Sequence, residues 1–303
     1  MLPMAGPDRG QAVDIPISKA KSFVEGLDHP ECITTGPDGI FYAGGEAGQI
    51  YRIAQNGSKV ETIANTGGFI LGVAISPDGE NLYACDLAKK SIWKLEIYSR
   101  TLSLFADKVA GKPINIPNHL AFLPDGSLFV TDSGKFREIN GRILKFDAAG
   151  KGSVWHEGPF NFANGIALGP GGDAVYLCCS WLPGVERIEL RADGSPGKRE
   201  VYAKLPESLP DGLAFDAAGN LYVSCYTPSR IYKITPAREV SILIDDWEAH
   251  TLSSPTNITF GGPKFDQLFA ANLSRWHITR IEINTPGLPL ACHRKSTVVR
   301  EPR

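Results

Sequence analysis

Oxygen-bearing side chains recur at nearly equal spacing along this 303-residue chain. They open six similar segments, whose first residues are Glu31, Leu71, Asn118, Asn164, Asp211 and Asn257, at steps of 40, 47, 46, 47 and 46 residues. Five of the six carry a side-chain oxygen, and two of those five are carboxylates. Carboxylate and amide oxygens without Cys or His suit a hard cation such as Ca²⁺ or Mg²⁺. If the fold brings these side chains together, they predict a divalent metal site.

The same residues have a second interpretation, in which they only close turns at the entrances of strands. Asn164-Gly165 and Asp211-Gly212 do resemble hairpin turns. The aligned pairs Glu31-Cys32, Asn118-His119 and Asn257-Ile258 lack this glycine, and the Pro/Asp/Gly turns of the segments lie seven residues later. Two buried carboxylates, Glu31 and Asp211, would also repel each other unless a cation lies between them. The pattern therefore favours a metal site over turn chemistry.

Each segment contains the pattern of four short strands. An apolar run such as Leu71–Ser76 leads into a Pro-Asp-Gly turn, and a second apolar run, Leu82–Cys85, follows it. A third, alternating run such as Ser91–Leu95 and a fourth such as Leu102–Phe105 precede the next segment. Four strands per repeat of about 45 residues are typical of a β-propeller blade. The sequence therefore predicts an all-β fold, a six-bladed β-propeller of four-stranded antiparallel blades.

The ends of the chain indicate how the ring closes. The sixth segment has only three strand-like runs, whereas Lys21–Val24 resembles a fourth strand without a blade. We expect this N-terminal strand to complete the last blade. The prediction is one propeller over residues 1–303, with a core at about 20–285 and terminal extensions at 1–19 and 286–303. A β-sandwich or a two-domain β protein is the alternative, which the regular repeat disfavours.

In such a ring the first strand of every blade lines the central channel. The second strand ends where the first begins, at what we call the upper mouth. Polar and aromatic residues follow the second strands there, namely Glu46, Asp86, Asp132, Ser180, Trp181, Tyr226 and Asn272. Asp132 is the strongest candidate among them to support a ligand or to act in catalysis, although ordinary loop polarity explains any one of them equally well. His29 and His119 flank predicted ligands and could orient a carboxylate, or could simply be packed or face solvent.

Composition and missing motifs exclude several classes of function. The balance of 31 Lys+Arg against 33 Asp+Glu argues against a nucleic-acid partner. No apolar run approaches the roughly 20 residues of a membrane span, and Met1–Gly10 holds no secretory stretch, so we expect a cytoplasmic protein without a membrane partner. Five of the six cysteines lie in apolar runs, which predicts reduced, buried side chains.

The motifs of serine hydrolases, nucleotide-binding proteins and zinc proteases are absent. A hard cation in a propeller channel remains, and it can polarise a carbonyl or phosphoryl oxygen. The matching reactions are hydrolysis of a lactone or of a phosphoester-like bond.

Three motifs in order carry a family resemblance. Asn164-Gly-Ile-Ala-Leu-Gly-Pro-Gly-Gly-Asp-Ala-Val-Tyr176 resembles the Asn-Gly-x-x-x-Ser-Pro-Asp-Gly-x-x-x-Tyr motif of the SMP-30/gluconolactonase/luciferin-regenerating enzyme family. The segments from Pro210-Asp-Gly and from Pro255-Thr-Asn are similar to its next and last blades, and Pro30-Glu31 is similar to its opening Gly-Pro-Glu. The resemblance covers about residues 20 to 285.

The resemblance implies a six-bladed propeller with one catalytic divalent cation, usually Ca²⁺, with Mg²⁺, Mn²⁺ or Zn²⁺ as alternatives. By position, Glu31, Asn164 and Asp211 match the metal ligands, and Asn118 matches a residue that binds metal or substrate. Asp211 also matches the proposed general base, or the nucleophile of related phosphotriesterases. The substrate pocket is expected to contain Asn118, His119, Asp132, Trp181, Tyr226 and Asn257.

The chain departs from the family at two positions, which bear on the substrate. Ile116 stands where the sugar-lactonase branch has Arg, and Ile33 replaces a Trp. Trp181 and Phe69 on the rim also indicate a less polar small-molecule substrate than an aldonolactone.

Several functions compete. The first is a metal-dependent lactonase with Asp211 as general base, and the second is a phosphotriesterase-like or promiscuous esterase at the same site. A non-enzymatic ligand-binding propeller is the third, because fold alone does not settle function. A strictosidine-synthase-like condensing enzyme would be expected to use a Glu base without a metal, and the Asn and Asp set argues against it.

Overall fold

The computed structural model describes residues 13–294. Residues 1–12 and 295–303, the outer parts of the two predicted extensions, lie outside the described residues. Within 13–294 the chain forms 26 β-strands and two short 3₁₀ helices, Ile17–Lys19 and Ala291–His293, and no α-helix. No helix in this range is long and apolar enough to cross a membrane.

The strands form six four-stranded antiparallel sheets, which are the six predicted blades. Blade one contains β2 (Cys32–Thr35), β3 (Phe41–Gly44), β4 (Gln49–Ile53) and β5 (Val60–Asn65). Blade two contains β6 (Ile70–Ile75), β7 (Asn81–Asp86), β8 (Ser91–Glu96) and β9 (Leu102–Ala106). A small hairpin of β10 (Lys108–Val109) and β11 (Lys112–Pro113) follows.

The remaining blades repeat the same order. Blade three contains β12 (Pro117–Phe122), β13 (Leu128–Asp132), β14 (Gly141–Phe146) and β15 (Gly152–Phe160). Blade four contains β16 (Ala163–Leu168), β17 (Ala174–Cys179), β18 (Gly184–Leu190) and β19 (Pro196–Lys204). Blade five contains β20 (Leu209–Phe215), β21 (Leu221–Thr227), β22 (Arg230–Ile234) and β23 (Val240–Asp245). Blade six contains β24 (Pro255–Gly261), β25 (Gln267–Asn272), β26 (His277–Glu282) and the N-terminal β1 (Ala20–Glu25).

The first strands pack against one another in the cyclic order β2, β6, β12, β16, β20, β24 and β2, so the ring is closed. The N-terminal strand closes the sixth blade, as predicted. β1 pairs antiparallel with β26, with Ala20 opposite Ile281. The Phe23 ring on this strand packs edge-on against Phe41 of blade one at 5.4 Å and Phe269 of blade six at 4.8 Å, measured between centroids.

The core lies between the blades. Six clusters of buried apolar side chains each join one blade to the next around the ring. All six cysteines are buried and free of disulfides, which confirms the prediction that they are small apolar core residues.

The chain after β26 packs on the lower side of the ring, opposite the upper mouth. The Leu288 N–H donates to Phe215 O at 2.9 Å, and His293 Nε2 donates to Gly36 O at 3.1 Å. Residues 288–292 and Arg294 help to line a mostly apolar channel cavity of about 120 Å³. The first part of the predicted C-terminal extension is therefore integrated into the ring.

Candidate metal centre

Close approach of the inner strands brings the predicted ligands together at the upper mouth. A Cβ atom on Gly165 would lie 2.2 Å from Asp211 O, and one on Gly212 would lie 2.7 Å from Asn257 Cα. Both glycines lie within strands and have ordinary φ values. Asn164-Gly165 and Asp211-Gly212 are therefore not hairpin turns, and their glycines allow neighbouring blades to meet near the axis.

Glu31 and Asp211 form a pair of buried carboxylates, with 8% and 9% of their surfaces exposed. Burial raises the pKa of Glu31 well above its usual range, and the nearby Asp211 charge raises it further. Burial also raises the pKa of Asp211 well above its usual range, against an opposing hydrogen bond from the Asn164 side chain. No cationic side chain within residues 13–294 lowers either pKa. Glu31 Oε2 is buried without a hydrogen-bond partner, so this pair lacks a compensating charge.

Two serines orient the asparagines of blades three and four in the same way. Asn118 Nδ2 donates to Ser133 Oγ at 3.1 Å, and Ser133 Oγ donates to Ala163 O at 2.6 Å. In the next blade, Asn164 Nδ2 donates to Ser180 Oγ at 3.1 Å, and Ser180 Oγ donates to Pro210 O at 2.8 Å. Because each amide nitrogen is held by a serine, the amide oxygen is left on the other side.

The donors fit a hard divalent cation. Glu31, Asn118, Asn164 and Asp211 are all buried and supply two carboxylates and two amides from four different blades. Such oxygen sets are typical of Ca²⁺ sites. The orphaned Glu31 Oε2 and the uncompensated carboxylate pair are the features that a bound cation would satisfy.

Asn257 differs from the other asparagines at the aligned position. Its Oδ1 accepts a hydrogen bond from the Ile33 N–H at 3.1 Å, and its Nδ2 donates to His119 Nε2 at 2.8 Å. His119 is therefore a neutral acceptor at Nε2, and burial lowers its pKa to about 4. Both residues help to line the channel cavity. Both ends of the Asn257 amide are therefore hydrogen-bonded, and His119 is packed against it.

The Asp132 carboxylate hydrogen-bonds backbone N–H groups and the Arg142 side chain. Its Oδ1 accepts from the Ile116 N–H at 2.9 Å and the Gly134 N–H at 3.2 Å, and its Oδ2 accepts from Arg142 Nε at 3.0 Å. The carboxylate is fully buried. These contacts make Asp132 a support for the loop before β12 and do not support the prediction that it contacts substrate.

The same arrangement recurs at the ends of other second strands. Asp86 accepts from the Phe69 N–H at 3.1 Å, and Asn272 accepts from the Ser253 N–H at 2.9 Å. Each of these predicted rim residues therefore accepts a hydrogen bond from the loop that leads into the first strand of its own blade. By contrast, Trp181 and Tyr226 are 39% and 41% exposed.

Sequence reasoning missed two supporting hydroxyls. Ser133 orients Asn118, and Thr256 Oγ1 donates to the Glu31 backbone carbonyl at 2.8 Å. For Ser133 a signal was present, because it and Ser180 both follow the second strand of a blade whose first strand carries an Asn.

His29, Asp28 and Glu46 also meet, with His29 Nδ1 at 3.1 Å from Asp28 Oδ1 and 3.2 Å from Glu46 Oε2.

The fold is a six-bladed propeller, and its candidate oxygen-donor centre lies where the inner strands begin. Residues 92–273, more than half of the chain, match the model of the SMP-30/Gluconolactonase/LRE-like region, and the chain belongs to this family. It is 27% identical over 236 residues to a gluconolactonase of Zymomonas mobilis, covering 71% of this chain and 64% of the relative. It is also 27% identical over 224 residues to the Arabidopsis thaliana protein strictosidine synthase-like 6, covering 65% of this chain and 56% of the relative. The chain thus spans less than two thirds of either relative's length.

Among solved structures, the fold is similar to that of regucalcin, a calcium-binding protein of Agrobacterium tumefaciens. The TM-score is 0.74, the sequence identity is 18%, and the match covers 93% of this chain and 99% of the other. At this identity the likeness concerns the fold.

Proposed function

We propose that this protein is a divalent-metal-dependent hydrolase that opens a lactone ring, with Ca²⁺ as its ion. The observation that carries the proposal is the pair of buried, uncompensated carboxylates, Glu31 and Asp211, beside two asparagines oriented by serines. Membership of the family and the likeness to a gluconolactonase support the choice of a lactone as substrate.

Glu31, Asn118, Asn164 and Asp211 would hold the cation. When bound, a divalent cation supplies Lewis-acid activation of a carbonyl oxygen. Three of the four side chains come from inner strands of a closed ring and Glu31 directly precedes β2, so their positions are fixed by the packing of four blades. Rigid placement of the donors reduces the reorganisation that the reaction requires.

Asp211 is the proposed general base. A water molecule attacks the lactone carbonyl carbon, and its proton passes to the Asp211 carboxylate as the carbon–oxygen bond forms. The bond from that carbon to the ring oxygen then breaks, and the ring oxygen takes the proton to give a hydroxy acid. Asp211 must be ionised at the start, which its burial beside Glu31 disfavours unless positive charge is held nearby.

The test is hydrolysis of a panel of sugar lactones, alkyl lactones, aryl esters and organophosphates. Each would be assayed with Ca²⁺, Mg²⁺, Mn²⁺ or Zn²⁺ and after chelation. We expect lactone hydrolysis that chelation removes, and a loss of at least about 100-fold in Asp211→Asn, the scale of general-base catalysis. Asp193→Asn, on an exposed turn, is the matched control and should keep wild-type rates.

Three outcomes would contradict the proposal. Wild-type rates in Asp211→Asn would remove the assigned base. A preference for organophosphates or aryl esters over every lactone would favour the esterase alternative. Metal binding without turnover of any compound would indicate a ligand-binding propeller.

A further inference from the structure

Three aromatic side chains form a cluster on consecutive loops of the upper mouth. The ring centroids of Phe136 and Trp181 lie 5.4 Å apart, those of Phe162 and Trp181 5.8 Å, and those of Phe136 and Phe162 6.2 Å. All three pairs are edge-to-face, which is a favourable arrangement for aromatic rings. Phe136 is nevertheless 62% exposed and Trp181 39% exposed. The cluster is thus packed on itself and open to solvent, as binding surfaces often are.

The residues of the aromatic cluster are close in sequence to residues of the candidate metal centre. Phe136 lies three residues after Ser133, which orients Asn118. Trp181 directly follows Ser180, which orients Asn164, and Phe162 lies two residues before Asn164. The three loops join strands at the end of the ring where β16 begins, so rings and predicted ligands share one mouth.

The backbone under the cluster is held in an unusual conformation. Phe162 has φ +61°, a left-handed value that is rare for a bulky residue. Hydrogen bonds hold it there: the Ser180 N–H donates to Phe162 O at 3.2 Å, and the Trp181 N–H donates to Asn161 O at 3.3 Å. Asn161 Nδ2 also donates to Trp181 O at 3.1 Å. Strain that neighbouring contacts maintain in this way is typical of functional sites.

The chemistry of the aromatic cluster is apolar. Ile139, on the same loop as Phe136, is 62% exposed. Ile116, two residues before Asn118, is also aliphatic and part-buried. The rings and these aliphatic side chains offer area for apolar groups. Arg137, whose guanidinium carbon lies 5.5 Å from the Phe136 ring centroid, is a charged group that borders the cluster.

We propose that Phe136, Phe162 and Trp181 bind an apolar substituent of the substrate, so that the enzyme prefers lactones with an alkyl or aryl side chain over polyhydroxylated ones. This inference rests on the proposed lactonase function. In this arrangement the lactone ring lies at the candidate metal centre and its substituent lies against the aromatic cluster. Because the cluster and the predicted ligands share one mouth, a group of the substrate is the favoured occupant of the cluster.

The experiment compares γ-decalactone, γ-butyrolactone and glucono-δ-lactone by kcat/KM. The wild type should prefer γ-decalactone, and Phe136→Ala and Trp181→Ala should each lower the ratio of its kcat/KM to that of γ-butyrolactone by about tenfold, the scale of lost apolar contacts in a pocket. Tyr98→Ala is the matched control. Tyr98 is 86% exposed on the β8–β9 turn, on the lower side of the ring, and its removal should leave the ratio unchanged.

A measurement of lactone binding distinguishes failure of this inference from failure of the proposed function. Calorimetry at a Ca²⁺ concentration that saturates both proteins would measure the Kd of γ-decalactone and γ-butyrolactone for Asp211→Asn and for the same variant carrying Phe136→Ala. Tighter binding of γ-decalactone that Phe136→Ala weakens supports the inference even if no lactone is hydrolysed. Equal affinities for the two lactones, a wild-type preference for glucono-δ-lactone, or a kcat/KM ratio that Phe136→Ala leaves unchanged would overturn it.

Discussion

Hydrogen bonds of single side chains decide which residues can act as ligands. Asn118, Asn164 and Asn257 occupy equivalent positions of three blades, yet only the first two have their amide nitrogen held by a serine. In Asn257 the oxygen accepts from Ile33, 224 residues away in the sequence. The serines are visible in the sequence, since each follows the second strand of its own blade, whereas the Ile33 contact of Asn257 comes from another blade and is not visible there.

The serine contacts lead to the first residue-scale prediction. Ser180→Ala removes the hydroxyl partner of Asn164 Nδ2 and of the Pro210 carbonyl, so the Asn164 amide is held less firmly, by its remaining contact with Asp211. Residues that orient a ligand typically contribute 10–100-fold to metal affinity, so we expect the Kd for Ca²⁺ to rise by at least about tenfold. Calorimetric titration with Ca²⁺ measures this change.

Ser91→Ala is the control for that variant. Ser91 is also buried, but its hydroxyl has no hydrogen-bond partner, and it lies on the third strand of blade two. Its Kd for Ca²⁺ should equal that of the wild type. Unchanged affinity in Ser180→Ala would show that the amide orientation does not matter for binding.

Glycines within the inner strands have a packing role at the scale of the element. The sequence reveals the glycine of Asn164-Gly165 and the strand-like run around it, but a turn and a strand interior are equally consistent with such a pair. Only the position of the next blade settles the role, since the Asp211 carbonyl lies where a Gly165 side chain would be.

Substitution of this glycine should therefore destabilise the ring. In Gly165→Ala the new methyl group would meet the Asp211 backbone, which cannot move without displacing β20. Overpacking of this kind costs about 2 kcal/mol in the free energy of unfolding, measured by chemical denaturation. Gly171→Ala is the control, because its nearest atom is the side-chain Oδ1 of the exposed Asp173. Equal stability of the two variants would contradict close approach as the reason for the glycine.

Prediction of strands succeeded where burial is continuous and was incomplete at the third strand of blade four. The repeat indicated the first and second strands of every blade, whereas β18 had no recognised third-strand pattern. β18 contains Glu186, which forms an ion pair with Arg199 of β19 at 2.6 Å. A charged residue inside a strand interrupts the apolar alternation, and its partner on the next strand is not visible in the pattern.

At the scale of the whole molecule, the candidate metal centre depends on the closed ring. The candidate ligands come from blades one, three, four and five, and β1 closes the ring between blades six and one. The sequence predicted this architecture because a repeat of fixed length specifies the number of blades and the N-terminal strand specifies the closure. The net charge of −2 conceals the concentration of acid on the axis.

The measurement that tests the account most directly is a calorimetric titration of the full chain with Ca²⁺, repeated with Asp211→Asn. The proposed metal site predicts that the wild type binds one Ca²⁺ ion per chain. The Kd for Ca²⁺ should be at least about 100-fold higher in Asp211→Asn, because a carboxylate ligand is replaced by a neutral amide. Absence of Ca²⁺, Mg²⁺, Mn²⁺ and Zn²⁺ binding in the wild type, or equal Ca²⁺ affinity in Asp211→Asn, would contradict it.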